Sequence, residues 1–180
     1  ALLLYRYFIE EKDNRFLINT FKSYLSPVLI DSMYSAKVLP SLGGETRHMT
    51  AFFSDLQGFS TLSEKLTPKE LVSWLNTYLT QMTDILVDKM GTLDKYEGDA
   101  IVAFFGAPVK FEDHAMKACD TALAMQFKLK EIREKAKDEK GKVAELLRGT
   151  RARIGINTGP IMTGNVGSEQ RMNYTMIGHA

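Results

Sequence analysis

The chain has 180 residues, of which 44% are hydrophobic, so it can form one compact domain with a shorter appended segment. Its formal net charge is +1, and its 23 basic and 22 acidic side chains are interspersed. This pattern lacks the basic stripe that follows a nucleic-acid backbone, so nucleic acid is not an expected partner. One cysteine cannot form a disulfide framework.

The amino-terminal residues 1–44 form a predicted helical linker. Helix is predicted over residues 6–33 in two pieces, because Ser26 and Pro27 supply an N-cap followed by an N1 proline. Residues 1–9 are nearly all apolar or aromatic, but a membrane-spanning helix needs about 20 such residues. This apolar start, and an opening residue that is not methionine, favour a segment that joins an upstream sensor or membrane region to the domain predicted over residues 45–180.

The first elements of this domain are a predicted strand and a long helix. Residues 48–54 have strand character and end at Asp55. Further along, Thr67, Pro68 and Glu70 supply an N-cap, an N1 proline and a capping-box glutamate, and apolar residues then repeat at helical spacing as far as Leu86.

A hairpin, a second helix and further strands complete the predicted order. Residues 92–96 and 100–105 are apolar runs separated by Glu97, Gly98 and Asp99, which places Asp99 at a hairpin tip. Asp113 is the predicted cap of the second helix, and three strands are predicted over residues 151–157, 160–166 and 172–177. The order indicates an α+β fold, with helices on one face of the sheet, and not a doubly wound parallel sheet.

The two aspartates at strand ends suggest metal-dependent phosphate chemistry. Hard divalent cations prefer oxygen ligands, and two carboxylates are the minimum contribution to a two-metal site. Gly58 lets the backbone N–H groups at the start of the next element, around Phe59 and Ser60, approach an anion.

Three candidate residues, Asp99, Lys95 and Thr175, also have an ordinary structural explanation, whereas Asp55 is harder to explain in this way. Asp99 taken alone is a common turn residue, and Lys95 is a typical solvated strand lysine. Thr175 is a normal β-branched strand residue whose hydroxyl can still make a hydrogen bond.

Four ordered segments together resemble the catalytic domain of class III adenylate cyclases. They are FFSDLQGFS (residues 52–60), KYEGDA (95–100), RIGINTGPIMTGNVGS (153–168) and YTMIG (174–178). The resemblance runs from about residue 46 to the end of the chain. It implies a ferredoxin-like palm, which is an antiparallel-rich sheet, and a head-to-tail homodimer with substrate sites at the interface.

The same resemblance implies roles for individual residues. Asp55 and Asp99 match the residues that bind two Mg²⁺ or Mn²⁺ ions, and Leu56 matches a position whose backbone carbonyl also reaches a metal. Lys95 and Thr175 match the pair that reads the purine, contributed by the opposite protomer. Arg171 is placed like a cation that binds the triphosphate.

The implied reaction is attack of the ribose 3′-hydroxyl of ATP on its own α-phosphate, giving 3′,5′-cyclic AMP and pyrophosphate. In guanylate cyclases the two purine-reading positions usually hold an acidic and a small polar residue, so Lys95 and Thr175 indicate ATP. The family pattern continues past Gly178 with an asparagine and an arginine, so this 180-residue chain is expected to bind metal and nucleotide but to turn over weakly.

Other functions remain open at this point. A diguanylate cyclase shares the palm, but residues 97–99 lack its Gly-Gly-Asp/Glu-Glu-Phe signature. A guanylate cyclase and a cyclase-like module that serves only for dimerisation or regulation are the remaining alternatives. For the whole protein, the expectation is a catalytic domain in the cytoplasm and a tether at the inner or plasma membrane.

Overall fold

The computed structural model describes residue 35 and residues 42–178, so the helices predicted over residues 6–33 lie outside the described part. The elements in chain order are β1 (Gly43–Leu56), α1 (Phe59–Ser63), α2 (Pro68–Asp88), β2 (Thr92–Glu97), β3 (Ala100–Phe105), α3 (His114–Lys135), α4 (Lys142–Gly149), β4 (Ala152–Ser168) and β5 (Arg171–Ile177). None of the helices between residues 42 and 178 is long and apolar enough to cross a membrane.

The five strands form one sheet in the order β2-β3-β1-β4-β5, and every neighbouring pair is antiparallel. The longest ladder joins β1 to β4, from Gly43 opposite Asn165 to Leu56 opposite Ala152. Helices and an antiparallel sheet in this arrangement confirm the predicted α+β fold.

Two strand boundaries differ from the predicted ones. Residues 152–168 form one strand, so the break predicted at Thr158 and Gly159 is wrong. Both residues pair with β1, and Pro160 is in register with His48. Among the described residues, β5 pairs with β4 only from Met162 onward. Pro160 therefore pairs with β1 on one side of β4 and has no described strand on the other, which is a position that tolerates proline.

The second difference is at the start of β1, which begins at Gly43 and not at His48. Gly43 and Gly44, which were predicted as part of the linker, belong to the sheet. They can do so because glycine lets the backbones of β1 and β4 approach closely. A Cβ on Gly164 would lie 2.1 Å from the carbonyl oxygen of Gly43, and one on Gly44 would lie 2.8 Å from that of Thr163. No larger residue fits this crossing without moving the backbone.

The main core lies between one sheet face and helices α2 and α3. The capping box at Thr67 starts α2, with Glu70 accepting a hydrogen bond from the Thr67 N–H at 2.9 Å. The buried side chains of this core are Phe52, Leu56, Trp74, Tyr78, Met82, Leu86, Ile101, Ala103, Phe105, Ala118, Met125 and Leu129.

A second, smaller cluster covers part of the opposite sheet face, here called the open face. Its buried members include Met49, Ala51, Phe104 and Ile161. Tyr174 and Met176 of β5 pack against this cluster. The last strand therefore curls over the open face, although β5 and β2 stand at opposite ends of the strand order.

The buried environment of His114, the first residue of α3, predicts that the stability of the protein depends on pH. His114 is buried, and its Nδ1 lies 2.7 Å from the Thr50 hydroxyl, which in turn lies 2.8 Å from the Thr158 hydroxyl. Burial lowers the pKa of His114 from 6.5, the neighbouring His48 lowers it further, and Asp113 opposes the shift. The folded state therefore takes up the proton less readily than the unfolded chain.

The contribution of His114 to the free energy of unfolding should consequently be fully present above the pKa of this histidine in the unfolded chain. It should decrease as the pH falls below about 6.5. The free energy of unfolding measured at pH 7.5 and 5.5, followed by fluorescence of the only tryptophan, Trp74, should fall less in His114→Asn than in the unchanged chain. Equal pH dependence in both proteins would contradict this assignment.

Candidate active site

Two carboxylates from distant parts of the sequence meet at one end of the sheet. Asp55 is the penultimate residue of β1, and Asp99 lies in the β2–β3 turn, where Gly98 has φ +66°. The Leu56 N–H donates to Asp99 Oδ2 at 2.8 Å, which fixes the turn against the end of β1. The two carboxyl groups lie within hydrogen-bonding reach of each other.

This proximity changes the electrostatics of the pair. Burial raises the pKa of Asp99, the hydrogen bond from the Leu56 N–H opposes that shift, and Asp55 raises it again through its charge and a hydrogen bond. Burial also raises the pKa of Tyr78 to about 12, and the charges of Asp99 and Asp55 add to this shift. The site therefore concentrates negative charge that is not fully compensated.

A positively charged side chain contacts one of the two aspartates, and it belongs to a residue for which the sequence motifs predicted no role. Arg153 of β4 stands in register with Asp55 of β1, and its guanidinium forms an ion pair with the Asp55 carboxylate. Both side chains remain accessible, with 68% of Arg153 and 43% of Asp55 exposed. The signal in the sequence is that Arg153 is the only charged residue of β4.

The donor set fits a divalent cation. Asp55 and Asp99 supply oxygen ligands, and their mutual repulsion is the kind that a bound cation relieves. No group of three His, Cys, Asp or Glu side chains suitable for a metal occurs among residues 42–178. The remaining ligands would have to be backbone oxygens, such as the Leu56 carbonyl, or oxygens of a substrate and water.

A cleft of about 170 Å³ lies on the open face. Its walls come from β1, β2, β3, β4 and the end of β5, and include Phe53, Lys95, Val102 and Met176. Val102 is in register with both Phe53 and Lys95, and Phe53 lies two residues before Asp55 on the same face of β1. The cleft and the Asp55 side chain therefore lie on the same face of the sheet, although neither Asp55 nor Asp99 lines the cleft.

Asp94, which lines this cleft together with Lys95, connects Lys95 to Thr175. The Thr175 hydroxyl donates to Asp94 Oδ2 at 2.6 Å, and Lys95 Nζ lies 3.7 Å from Asp94 Oδ1. Thr175 is buried, whereas 45% of the Lys95 side chain is exposed. The structure thus brings together Lys95 and Thr175, which are 80 positions apart in the chain.

The other predicted substrate-binding residues occupy different places. Gly58 has φ +74° and precedes α1, which starts at Phe59. The Phe59 ring stacks on Trp74 at 6.0 Å, so only its backbone faces the turn, and Ser60 is exposed. Arg171 lies at the β4–β5 turn, where its N–H donates to the Ser168 hydroxyl, at the other end of β4 from Arg153. Its contact with a triphosphate stays a prediction.

A larger cavity of about 540 Å³ lies on the helical side, between α2, α3 and α4. Its walls include Trp74, Leu129 and Ile132, and most of its charged residues lie on α2 and α3. It contains neither of the paired aspartates. The smaller cleft on the open face is the candidate base-binding site because it is lined by Lys95 and by Asp94, which accepts a hydrogen bond from Thr175.

Comparison with known proteins gives a consistent result. Residues 44–180 match the family model described as the adenylate and guanylate cyclase catalytic domain. The chain is 32% identical over 157 residues to adenylate cyclase 1 of Rhizobium meliloti, covering 82% of this chain and 23% of that protein. It is also 32% identical over 166 residues to an adenylate cyclase of Anabaena cylindrica, covering 92% of this chain and 30% of that protein. The chain thus spans less than a third of the length of these two relatives.

Solved structures resemble the fold in the same way. The guanylyl cyclase Cya2 is 39% identical with a TM-score of 0.68, over 77% of this chain and 67% of that one. The adenylyl cyclase CyaB from P. aeruginosa is 34% identical with a TM-score of 0.66, over 77% and 69%. A bacterial light-regulated adenylyl cyclase is 25% identical with a TM-score of 0.79, over 99% and 50%. Because these proteins include both guanylyl and adenylyl cyclases, the similarity alone does not indicate which purine base this chain binds.

Proposed function

The chain belongs to the family of adenylate and guanylate cyclase catalytic domains, and we propose that it cyclises ATP to 3′,5′-cyclic AMP and pyrophosphate. The observation that carries this proposal is that Asp94 contacts both Lys95 and Thr175, in a chain that also brings the Asp55 and Asp99 carboxyl groups together. A base-reading group and a phosphate-chemistry group thus share one face of the sheet.

The choice of adenine follows from hydrogen-bond chemistry. The Lys95 ammonium can only donate, which suits the unprotonated ring nitrogen N1 of adenine. The Thr175 hydroxyl oxygen can accept from the exocyclic amine of adenine. Guanine presents an N1–H donor and a carbonyl oxygen at the same positions, so a lysine facing its N1–H would leave two donors opposed.

At the phosphate end, the proposed reaction is an in-line displacement. The ribose 3′-oxygen bonds to the α-phosphorus, the bond to the pyrophosphate oxygen breaks, and the hydroxyl proton leaves to solvent. No protein nucleophile is needed. The chain's contribution is to orient the triphosphate and to stabilise developing charge.

Asp55 and Asp99, with a backbone oxygen such as that of Leu56, would hold the two divalent cations. Such cations, when bound, favour the ionised 3′-hydroxyl and offset charge on the phosphoryl oxygens. The Arg153 guanidinium, already at Asp55, lies where it can donate to phosphate oxygens.

We propose further that two copies pair head to tail, so that the carboxylates of one protomer face Lys95 and Thr175 of the other. Exposed large apolar side chains support an interface of this kind. Phe53 is 50% exposed on the open face, and Met162 and Ile177 are 41% and 50% exposed. For the whole protein, we propose a cytoplasmic catalytic domain coupled through residues 1–44 to an upstream sensor, with a membrane tether.

Product analysis tests the activity directly. The intact protein, incubated with Mn²⁺ and either ATP or GTP, should form cyclic AMP from ATP with a kcat/KM at least about 100-fold higher than for GTP. Preferential cyclic GMP formation would contradict the base assignment. Titration calorimetry separates the non-catalytic alternative, because absence of Mn²⁺-dependent ATP binding would indicate a dimerisation or regulatory module.

A further inference from the structure

Asp94 is a buried acidic residue at an irregular point of β2. The register of β2 against β3 shifts between Leu93 and Lys95, so Asp94 occupies a bulge. Only 2% of its side chain is exposed. A buried carboxylate is costly unless it is paired, and both oxygens of Asp94 have partners. These partners are the two residues that would read the base, Lys95 and Thr175.

The contact with Thr175 has a definite direction. Asp94 is ion-paired with Lys95 and is therefore a carboxylate, which can only accept hydrogen bonds. The Thr175 hydroxyl must donate its single hydrogen to Asp94 Oδ2, at 2.6 Å. Only the lone pairs of the Thr175 oxygen then remain for a ligand in the cleft.

We propose that Asp94 is a positioning residue that sets the base preference by fixing the Thr175 hydroxyl as an acceptor and holding Lys95 as a donor. This inference rests on the proposed function, because it concerns the base of the same nucleotide. An acceptor at Thr175 suits the 6-amino group of adenine. The 6-carbonyl of guanine needs a donor there, and Asp94 has already taken the only hydrogen that Thr175 could offer.

A merely structural role for Asp94 makes a different prediction. Asparagine has the same shape, and its amide oxygen can accept from Thr175 as the carboxylate does. Rotation of the amide, however, lets its NH₂ group donate to Thr175, which frees the hydroxyl hydrogen for a ligand. Asp94→Asn therefore preserves the packing at the bulge while removing the fixed direction of the hydrogen bond.

The test measures kcat/KM for ATP and for GTP in the intact protein. Asp94→Asn should lower the ATP-to-GTP ratio by about tenfold or more. The matched control is Asp88→Asn, which changes an exposed aspartate at the end of α2 and should leave the ratio unchanged. If Asp94→Asn does not fold, Asp94→Ala serves the same purpose, because it also removes the acceptor and leaves the hydrogen of the Thr175 hydroxyl free for a ligand.

A second comparison asks whether Asp94 acts through Thr175. In a Thr175→Val background, which removes the hydroxyl, the effect of Asp94→Asn on the ratio should shrink, as expected for coupled residues. An undiminished effect in that background would overturn the proposed route.

The outcomes also separate this inference from the proposed function. If the unchanged protein prefers GTP or forms no cyclic nucleotide, the proposed function fails. If the unchanged protein prefers ATP and folded Asp94→Asn keeps that ratio within about twofold, the role of Asp94 alone is refuted.

Discussion

Replacing Asp55 with alanine should abolish cyclic nucleotide formation, lowering kcat by about 10³-fold or more. The carboxylate of Asp55 is close to Asp99, and in the proposed site these two side chains are the carboxylate ligands of the divalent cations within the described residues 42–178. Its loss removes a ligand that no neighbour replaces. Asp99→Asn should have the same effect, because an amide is a poorer ligand for a hard cation. The measurement is initial-rate formation of cyclic AMP at saturating Mn²⁺ and ATP.

Binding measurements and a matched variant distinguish loss of metal from loss of structure. Mn²⁺ titration followed by electron paramagnetic resonance should show weaker binding for Asp55→Ala in the presence of ATP. Asp120→Asn, an exposed aspartate on α3, should bind and turn over like the unchanged protein. Near-normal turnover by folded Asp55→Ala would refute the assignment of the site.

Changing Lys95 to glutamate should reverse the base preference. The substitution exchanges a donor for an acceptor opposite N1 of the purine, which disfavours adenine and favours the N1–H of guanine. We expect kcat/KM for ATP to fall by about 10²–10³-fold while that for GTP rises relative to it. Measuring both substrates in the same preparation gives the ratio independently of the active fraction.

The neighbouring Asp94 makes this prediction specific to the present structure. A glutamate at position 95 would stand beside the buried Asp94 carboxylate, and two like charges at that distance repel. Lys95→Glu combined with Asp94→Asn should therefore favour GTP more strongly than Lys95→Glu alone. Lys130→Glu, an exposed change of the same charge on α3, is the control and should retain the ATP preference.

Local patterns were sufficient to predict the long helix and the hairpin. The capping box at Thr67 and the glycine at position 98 are signals contained within a few residues. Of the three strands predicted at the carboxyl end, the third is present as β5, but the break between the first two was wrong because residues 158–160 resemble a turn when read alone. Their strand conformation is imposed by pairing with β1, more than 100 positions away in the sequence for Thr50 and Thr158.

The same distinction applies to the candidate site. Asp55 and Asp99 stand out in the sequence because each follows or precedes an apolar run at a glycine-containing turn. Arg153 and Asp94 do not stand out, because their importance comes from partners that the fold supplies. Arg153 pairs with Asp55, which is 98 positions away, and Asp94 accepts from Thr175, which is 81 positions away. The sequence motifs do not indicate how the strands are paired in register or how the sheet is curved.

The ion pair between Arg153 and Asp55 also links the affinities of two ligands. A divalent cation that takes the Asp55 carboxylate competes with the guanidinium, and a phosphate that takes the guanidinium releases the carboxylate. Each ligand thus removes an interaction that opposes the other. Because such coupling is reciprocal, metal would tighten nucleotide binding by the same factor as nucleotide tightens metal binding. Without ligands, the Arg153 guanidinium would therefore take the place of the cation at Asp55, and the Asp55 carboxylate would take the place of the phosphate at Arg153.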